Sequence, residues 1–474
     1  MTGVLDPLVP IPTPVPTWPD LTGAAAVRQA HALPPGHRFS PAPRRRGTRV
    51  RPAGTEAGPA VPARRTRTPT MRTRRPPLAT TAVLRALSGA LLGTAVAACR
   101  SSTDSRAAQP PAFGEAQRSP TPAPTSGVVR AETVARGLEH PWALAFLPDG
   151  RMLVTERPGR LRVVTAAGAV SAPVAGVPAV FATGQGGLLD VALDPAFAAN
   201  RLVYLSYAEP GDGGTAGTAV ARGRLRDDAT ALDDVRVVYR QEPKVSGGLH
   251  FGSRLVFARD GLLLVTQGDR FSYREQAQEL GSLLGKVARV RPEGGAAPGN
   301  PFAGRAGAAP EVYSYGHRNV QAAALDPATG RLWTVEHGAR GGDELNAPEA
   351  GKNYGWPAIT YGVDYSGAAI GEGTAKAGLE QPVYYWDPVI APSGAAFVTS
   401  DRYPGWRGSL VVGSLGTRSL VRLELQEGRV AREERHLGEF GQRIRDVQEG
   451  PDGYLYVVTD AADGQVARVV PAGR

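Results

Sequence analysis

Apolar residues follow two different rhythms along this chain. From residue 1 to 70 they are scattered among Pro, Arg and Ala with no sustained period of 2 or 3.6. No strand or helix face can form there to offset its ordering entropy, so the segment is expected to be disordered. From about Arg130 onward the apolar residues gather into short runs rich in Val, Leu and Tyr, cut by Pro-Asp-Gly or Asp-Pro turns. Such runs predict β-strands, and no long stretch keeps helical period, so residues 128–474 are expected to be all-β.

One phrase recurs within that region: an apolar strand, a Pro/Asp/Gly turn, then a second strand. It reads WALAFLPDGRMLVTE from Trp142, LLDVALDPAFAANRLVYLSY from Leu188, GSRLVFARDGLLLVTQGD from Gly252 and VQAAALDPATGRLWTVEHG from Val320. It returns as GAAFVTSDRYPGWRGSLVVGS from Gly394 and VQEGPDGYLYVVTDA from Val447. The units lie roughly 45 to 75 residues apart, room for a four-stranded sheet that must bury its faces against neighbours. Six such units predict a six-bladed β-propeller, which removes long free edges by radial repetition; a β-sandwich is the alternative architecture.

Ahead of the repeats, Met71-Arg72-Thr73-Arg74-Arg75 opens a charged region, followed by a small-residue and apolar stretch from Ala86 to Ala98 and the box Val96-Ala97-Ala98-Cys99. Residues 71–98 read as a lipoprotein signal peptide, because the stretch is too short to span a bilayer as a helix. Thr73-Arg74-Arg75 fits a twin-arginine signal. A working signal carries its charge at the N-terminus, so translation is expected to start at Met71, with residues 1–70 a mis-assigned extension; a cytoplasmic arm is the alternative. Export and lipid anchoring at Cys99, on the outer face of the cytoplasmic membrane, are expected. The Pro/Ala/Ser-rich residues 99–127 would then be a flexible tether, leaving the lipid as the only membrane contact.

Composition narrows the function classes. A single cysteine in 474 residues excludes a disulfide framework and a cysteine-rich zinc site. The net charge of +10 is not spread over the repeats, because the chain up to Arg106 holds about 16 Arg against four acids and leaves roughly −2 for the rest. With only Lys244, Lys286, Lys352 and Lys376 as lysines there is no basic stripe, so no nucleic-acid partner is expected.

In a propeller the first strand of each blade lines the central channel, so residues just ahead of it converge on one mouth. Counting back about nine residues from each turn Asp reaches His140, Gln185, His250, Arg318 and Arg443. Arg445 follows on the same strand face as Arg443. Two imidazoles, three guanidiniums and an amide around one pore suit a polyanionic ligand beside a titratable base. In the fourth repeat, Asp343 and Glu344 follow a glycine run, where hard oxygens on a tight turn are calcium-type ligands, though a solvated acidic pair reads the same.

The strings GQGGLLDVALDP, HFGSRLVF, GHRN, GGDELN with GKNYGWP, WDPVIAPSG and RIRDVQEGPDGYLYVVTD, in that order from about Leu138 to the C-terminus, resemble the soluble pyrroloquinoline-quinone-dependent glucose and aldose sugar dehydrogenases. The resemblance implies a six-bladed propeller with pyrroloquinoline quinone (PQQ) and Ca2+ as cofactors. It implies His250 as the base that takes the proton of the sugar C1 hydroxyl while hydride passes to the quinone, with Asp269 orienting it and raising its pKa. It places Gln185, Arg318 and Asn319 against the cofactor or the reacting oxygens, and Arg443 and Arg445 against the cofactor's carboxylates. It makes the Gly338 and Ala339 carbonyls calcium ligands, joined by Asp343, Glu344, Tyr354 and Asp364. Tyr384 and Trp386 match its sugar-pocket aromatics loosely.

Three departures qualify the likeness, one being that the long insertions shaping the sugar pocket of glucose-type members are absent. Gly416 stands where glucose-type members carry a cofactor-binding lysine, which leaves Arg418 as the candidate replacement, and Leu249 replaces an acid ahead of the base. The expected function is oxidation of aldoses to lactones with an unidentified electron acceptor. A non-catalytic surface propeller that binds a glycan or protein, and a metal-dependent lactonase, are the alternatives.

Overall fold

The computed structural model describes residues 114–473. The expected extension, the signal peptide, Cys99 and the first part of the tether lie outside the described residues.

Six sheets are arranged in a closed ring. Their innermost strands are Pro141–Phe146, Leu188–Leu193, Gly252–Phe257, Val320–Leu325, Pro392–Phe397 and Ile444–Glu449, which begin blades 1 to 6. Each packs on the next, and the sixth packs on the first. The chain therefore forms a six-bladed β-propeller, and the repeat reading of the sequence is correct. The turn aspartates explain why the repeat was visible. Asp149, Asp194, Asp260, Asp326 and Asp452 each accept the backbone N–H two residues on, an Asx turn that holds the bend between the inner strand and the next.

Blade 6 is completed from the other end of the described chain. Val129–Leu138 pairs antiparallel with Gly464–Pro471, from Val129 opposite Pro471 to Leu138 opposite Gly464. The tether reading needs correction at its C-terminal end. Gln117–Arg118 adds a parallel strand to blade 4 beside Tyr384–Trp386, and Ser119 Oγ donates to Glu433 at 2.5 Å. Backbone pairing and a buried carboxylate acceptor hold residues whose composition alone reads as linker.

The space between blades is filled by large apolar side chains, with Trp142, Leu189, Tyr207 and Phe251 in one interblade cluster and Trp386, Tyr384, Phe397 and Val421 in another. At the axis the core is ionic. Arg254 donates to Asp190 at 2.9 Å, lies 3.1 Å from Asp446, and donates through Nε to the Gln321 carbonyl. All three charged side chains are buried.

Candidate active site

Residues just ahead of the inner strands do converge, in two adjoining cavities at one mouth of the ring. The first, about 270 Å3, is lined by His250, Asp269, Phe271, Arg318, Ala339, Trp356 and Asp364, among others. The second, about 240 Å3, is lined by Arg157, Gln185, Gln321, His337, Arg443, Arg445 and Asp460, among others. Gln185 joins them, since its Oε1 accepts the backbone N–H of His250 at 2.9 Å.

His250 sits in the left-handed region, at φ 52°, which turns its ring into the first cavity. Nδ1 lies 2.7 Å from Asp269 Oδ1, so an ionised Asp269 makes Nδ1 the donor and leaves Nε2 with its lone pair toward the cavity. Asp269 is itself fixed by Trp356 Nε1 at 2.8 Å and the Phe271 N–H at 2.7 Å. Burial alone would raise the Asp269 pKa, but the hydrogen bond and charge of His250, then Arg318, bring it below the usual carboxylate range. The expectation that Asp269 raises the His250 pKa is corrected in its net result. Burial and the Arg318 charge outweigh the carboxylate, so the imidazole pKa is lowered and the ring is neutral at neutral pH.

The GHRN string (316–319) divides its work between the site and its supports. His317 bridges Ser314 Oγ and Glu336 Oε1, both at 2.9 Å, and Glu336 Oε2 accepts the Arg318 N–H. The Arg318 guanidinium then reaches the carbonyls of His337 and Gly338 and packs over Trp356. Asn319 lies in neither cavity: its Oδ1 is occupied by the Gly252 N–H at 3.1 Å, which makes it a buried support beside the His250 segment.

The second cavity is cationic. Asp460 accepts from Arg443 at 3.2 Å, from Arg445 at 2.9 Å and from His140 Nδ1 at 3.1 Å. Burial would raise its pKa, but the Arg445 charge and these hydrogen bonds hold it far below the usual range, so it is a fixed anion between two guanidiniums. Three guanidiniums against one carboxylate leave the cavity positive. His337, in the wall of the same cavity, has its pKa pushed down to about 3 by burial of its ring and then by Arg318 and Arg445, and its Nε2 makes no hydrogen bond.

Several expected site residues are elsewhere. Arg418 is exposed, with its guanidinium 3.4 Å from the Gly441 carbonyl, because residues 416–418 form a loop rather than a continuing strand. A Cβ on Gly416 would lie 2.7 Å from the Ile390 carbonyl oxygen, so this backbone leaves no room for a side chain there. Tyr384 and Trp386 are core residues at 1% and 0% exposure, both donating to Glu433. The expected calcium side chains do not converge. Both Asp343 oxygens are taken by the N–H groups of Gly338, Ile390 and Ala391. Glu344 accepts from Asn346, and Tyr354 donates its hydroxyl to the Ala347 carbonyl. Asp364 is 40% exposed at the rim, 3.7 Å from Arg274. Among the described residues no three His, Cys, Asp or Glu side chains gather as a metal set.

Arg157, His337, Asp460 and Phe271 were not singled out from sequence. Arg157 follows the second strand of its blade and Asp460 follows that of blade 6, so a rule counting back from the first strand passes over both. Trp356 lies inside the GKNYGWP string, but only the folded chain brings its indole to Asp269.

The chain is thus a six-bladed propeller whose axial mouth sets a carboxylate-bound histidine beside a positively charged pocket. The family model for Glucose / Sorbosone dehydrogenase matches residues 138–468, and the chain belongs to that family. It is 49% identical over 346 residues, 72% of this chain and 93% of the relative, to "Aldose sugar dehydrogenase YliI" of Escherichia coli K12. A crystal structure of a glucose dehydrogenase superposes with a TM-score of 0.71 at 52% identity, covering 72% of this chain and 99% of its own. The PQQ-bound form of an aldose sugar dehydrogenase from Streptomyces coelicolor matches with a TM-score of 0.61 at 31% identity, covering 74% of this chain and all of its own (100%).

Proposed function

We propose that the protein oxidises the C1 hydroxyl of aldoses to lactones, with PQQ as the bound oxidant and an electron acceptor of unidentified nature to reoxidise it. The carrying observation is the His250–Asp269 pair in the wall of the first cavity, tied through Gln185 to the cationic second cavity. The Escherichia coli and Streptomyces relatives, by name an aldose sugar dehydrogenase and a PQQ-bound one, support the substrate and cofactor assignments.

The residues present fit the quinone. Arg157, Arg443 and Arg445 offer guanidinium forks for its carboxylates. His337 Nε2 and Arg318 Nε are buried polar atoms without hydrogen-bond partners in the protein, as expected of groups that face a ligand. Bound there, the quinone supplies a two-electron acceptor for the hydride that leaves C1.

This chain's own part is to bind, orient and move one proton. Neutral His250 takes the C1 hydroxyl proton at Nε2, and Asp269 at Nδ1 fixes the tautomer and supports the imidazolium that forms. Arg318, held by Glu336, presents a positive charge to oxygen that becomes negative during the transfer. Calcium has weaker support. Of the residues expected to hold it, the Gly338 carbonyl accepts from Arg318 and both Asp343 oxygens accept backbone N–H groups.

A dye-reduction assay tests the function: an aldose plus PQQ should support turnover, omission of either should abolish it, and added calcium is varied separately. No turnover with both present would refute the reading. We also propose that Cys99 carries a lipid anchor; expression from Met71 as Cys99→Ser should move protein from the membrane to the soluble fraction, and unchanged fractionation would count against it.

A further inference from the structure

The mouth of the first cavity carries two aromatic side chains that the fold leaves in solvent. Phe271 is 42% and Tyr365 56% exposed, and no other aromatic is among the large exposed hydrophobics of the described residues. Their rings lie 29° apart in plane with centroids 6.5 Å apart, and the Phe271 ring meets His250 edge-on at 5.2 Å. A ligand resting on this surface therefore lies beside the base.

Phe271 is held out at a conformational cost. Arg270 and Phe271 are consecutive non-glycine residues in the left-handed region, with φ 58° and 64°. The strain persists because both are pinned. The Arg270 guanidinium donates to the carbonyls of Leu249, Ala216 and Gly247 and lies 3.8 Å over the Phe251 ring, while the Phe271 N–H donates to Asp269 Oδ1. The same carboxylate thus positions the base and the exposed ring.

We propose, resting on the sugar-oxidation reading above, that Phe271 and Tyr365 form an aromatic ledge that receives the C–H face of a pyranose ring and so selects cyclic aldoses over open-chain polyols. A pyranose fixes its ring C–H bonds into an apolar, weakly positive surface that complements an aromatic π-face. A flexible polyol has no such fixed face and must lose internal rotations to offer one. The rim beside the ledge supplies hydrogen-bonding groups for outward hydroxyls in Arg274 and Asp364, and the Tyr365 hydroxyl accepts from Arg318 Nη2 at 3.3 Å. Aromatic contact with the sugar passes from Tyr384 and Trp386, which are core, to this pair.

The test uses quinone-loaded wild type, Phe271→Ala and Phe271→Tyr with glucose and sorbitol, alongside saturation-transfer NMR of glucose on the same samples. Phe271→Ala should raise the glucose KM about tenfold while kcat falls less than about threefold, and Phe271→Tyr should restore KM to within about twofold of wild type. Saturation should pass from protein aromatic protons to glucose ring protons in wild type and be lost in Phe271→Ala. A glucose KM in Phe271→Ala within twofold of wild type, or sorbitol used by wild type as well as glucose, overturns the ledge while leaving sugar oxidation standing. Wild type that oxidises neither compound overturns both.

Discussion

At His250 two influences oppose each other, and burial with the Arg318 charge prevails over the Asp269 carboxylate. The base form is needed for proton removal, so kcat/KM should climb as pH rises through the lowered imidazole pKa and be flat by pH 7. The midpoint of that acid limb should lie below the ordinary histidine value of about 6.5, and a midpoint above it contradicts the assignment. Asp269→Asn removes the interactions that raise the His250 pKa, so the limb should move further down while kcat falls by about two to four orders of magnitude. His250→Gln should lower turnover by a similar factor yet still take up quinone in a fluorescence titration of the apoprotein. His250 was legible because the count back from the inner strand and the HFGSRLVF string point to the same residue, whereas the count alone also reaches His140, which lines neither cavity. The environment that sets the charge of His250 comes from Trp356, Arg318 and Asp269, which are far apart along the chain.

Among elements, the loop from Gly338 to Asp343 shows where local pattern misleads. A glycine run followed by two acids reads as an oxygen-rich metal loop, yet Asp343 serves as acceptor for three backbone N–H groups and fixes the loop to residues 390 and 391. Asp343→Ala should therefore destabilise the protein by about 2–4 kcal/mol in urea unfolding, the cost of stranding buried donors. A loss under about 0.5 kcal/mol would mean that water takes over the three donors. The inner strands and their turns were legible because alternation and the Asx aspartate are properties of a few consecutive residues. Tyr384 and Trp386 were not, since an aromatic in a short strand carries no mark of whether its face meets solvent or Glu433. The position of Arg418 was not legible for a related reason: nothing in the string GSLGTRSL shows that the chain leaves the ladder between Ser414 and Leu420 and turns this side chain to solvent.

For the whole molecule, the ionic group at the axis acts as a hub. Arg254 belongs to blade 3 and contacts Asp190 of blade 2, Asp446 of blade 6 and the Gln321 carbonyl of blade 4. Asp446 in turn accepts the Leu144 N–H of blade 1. Blade 5 approaches through Gly394, where a Cβ would fall 1.8 Å from Asp446 Oδ1, so only glycine fits. Arg254→Met should cost about 3–5 kcal/mol at pH 7, because it leaves two buried carboxylates facing each other. Burial already raises the Asp446 pKa to about 6 and also raises that of Asp190. Protons are thus held more tightly in the folded than in the unfolded state, and part of the loss should be regained as pH falls from 7 toward 5. Equal destabilisation at both pH values would count against the hub. The ring closure at blade 6 has a consequence in time. Val129–Leu138 is synthesised first and its partner Gly464–Pro471 last, so on the ribosome an early strand must wait, with an open ladder edge, for nearly the whole domain to emerge. Native closure therefore waits until Gly464–Pro471 has left the ribosome, and whatever shields Val129–Leu138 in the interval governs how much of the newly made chain reaches the finished ring.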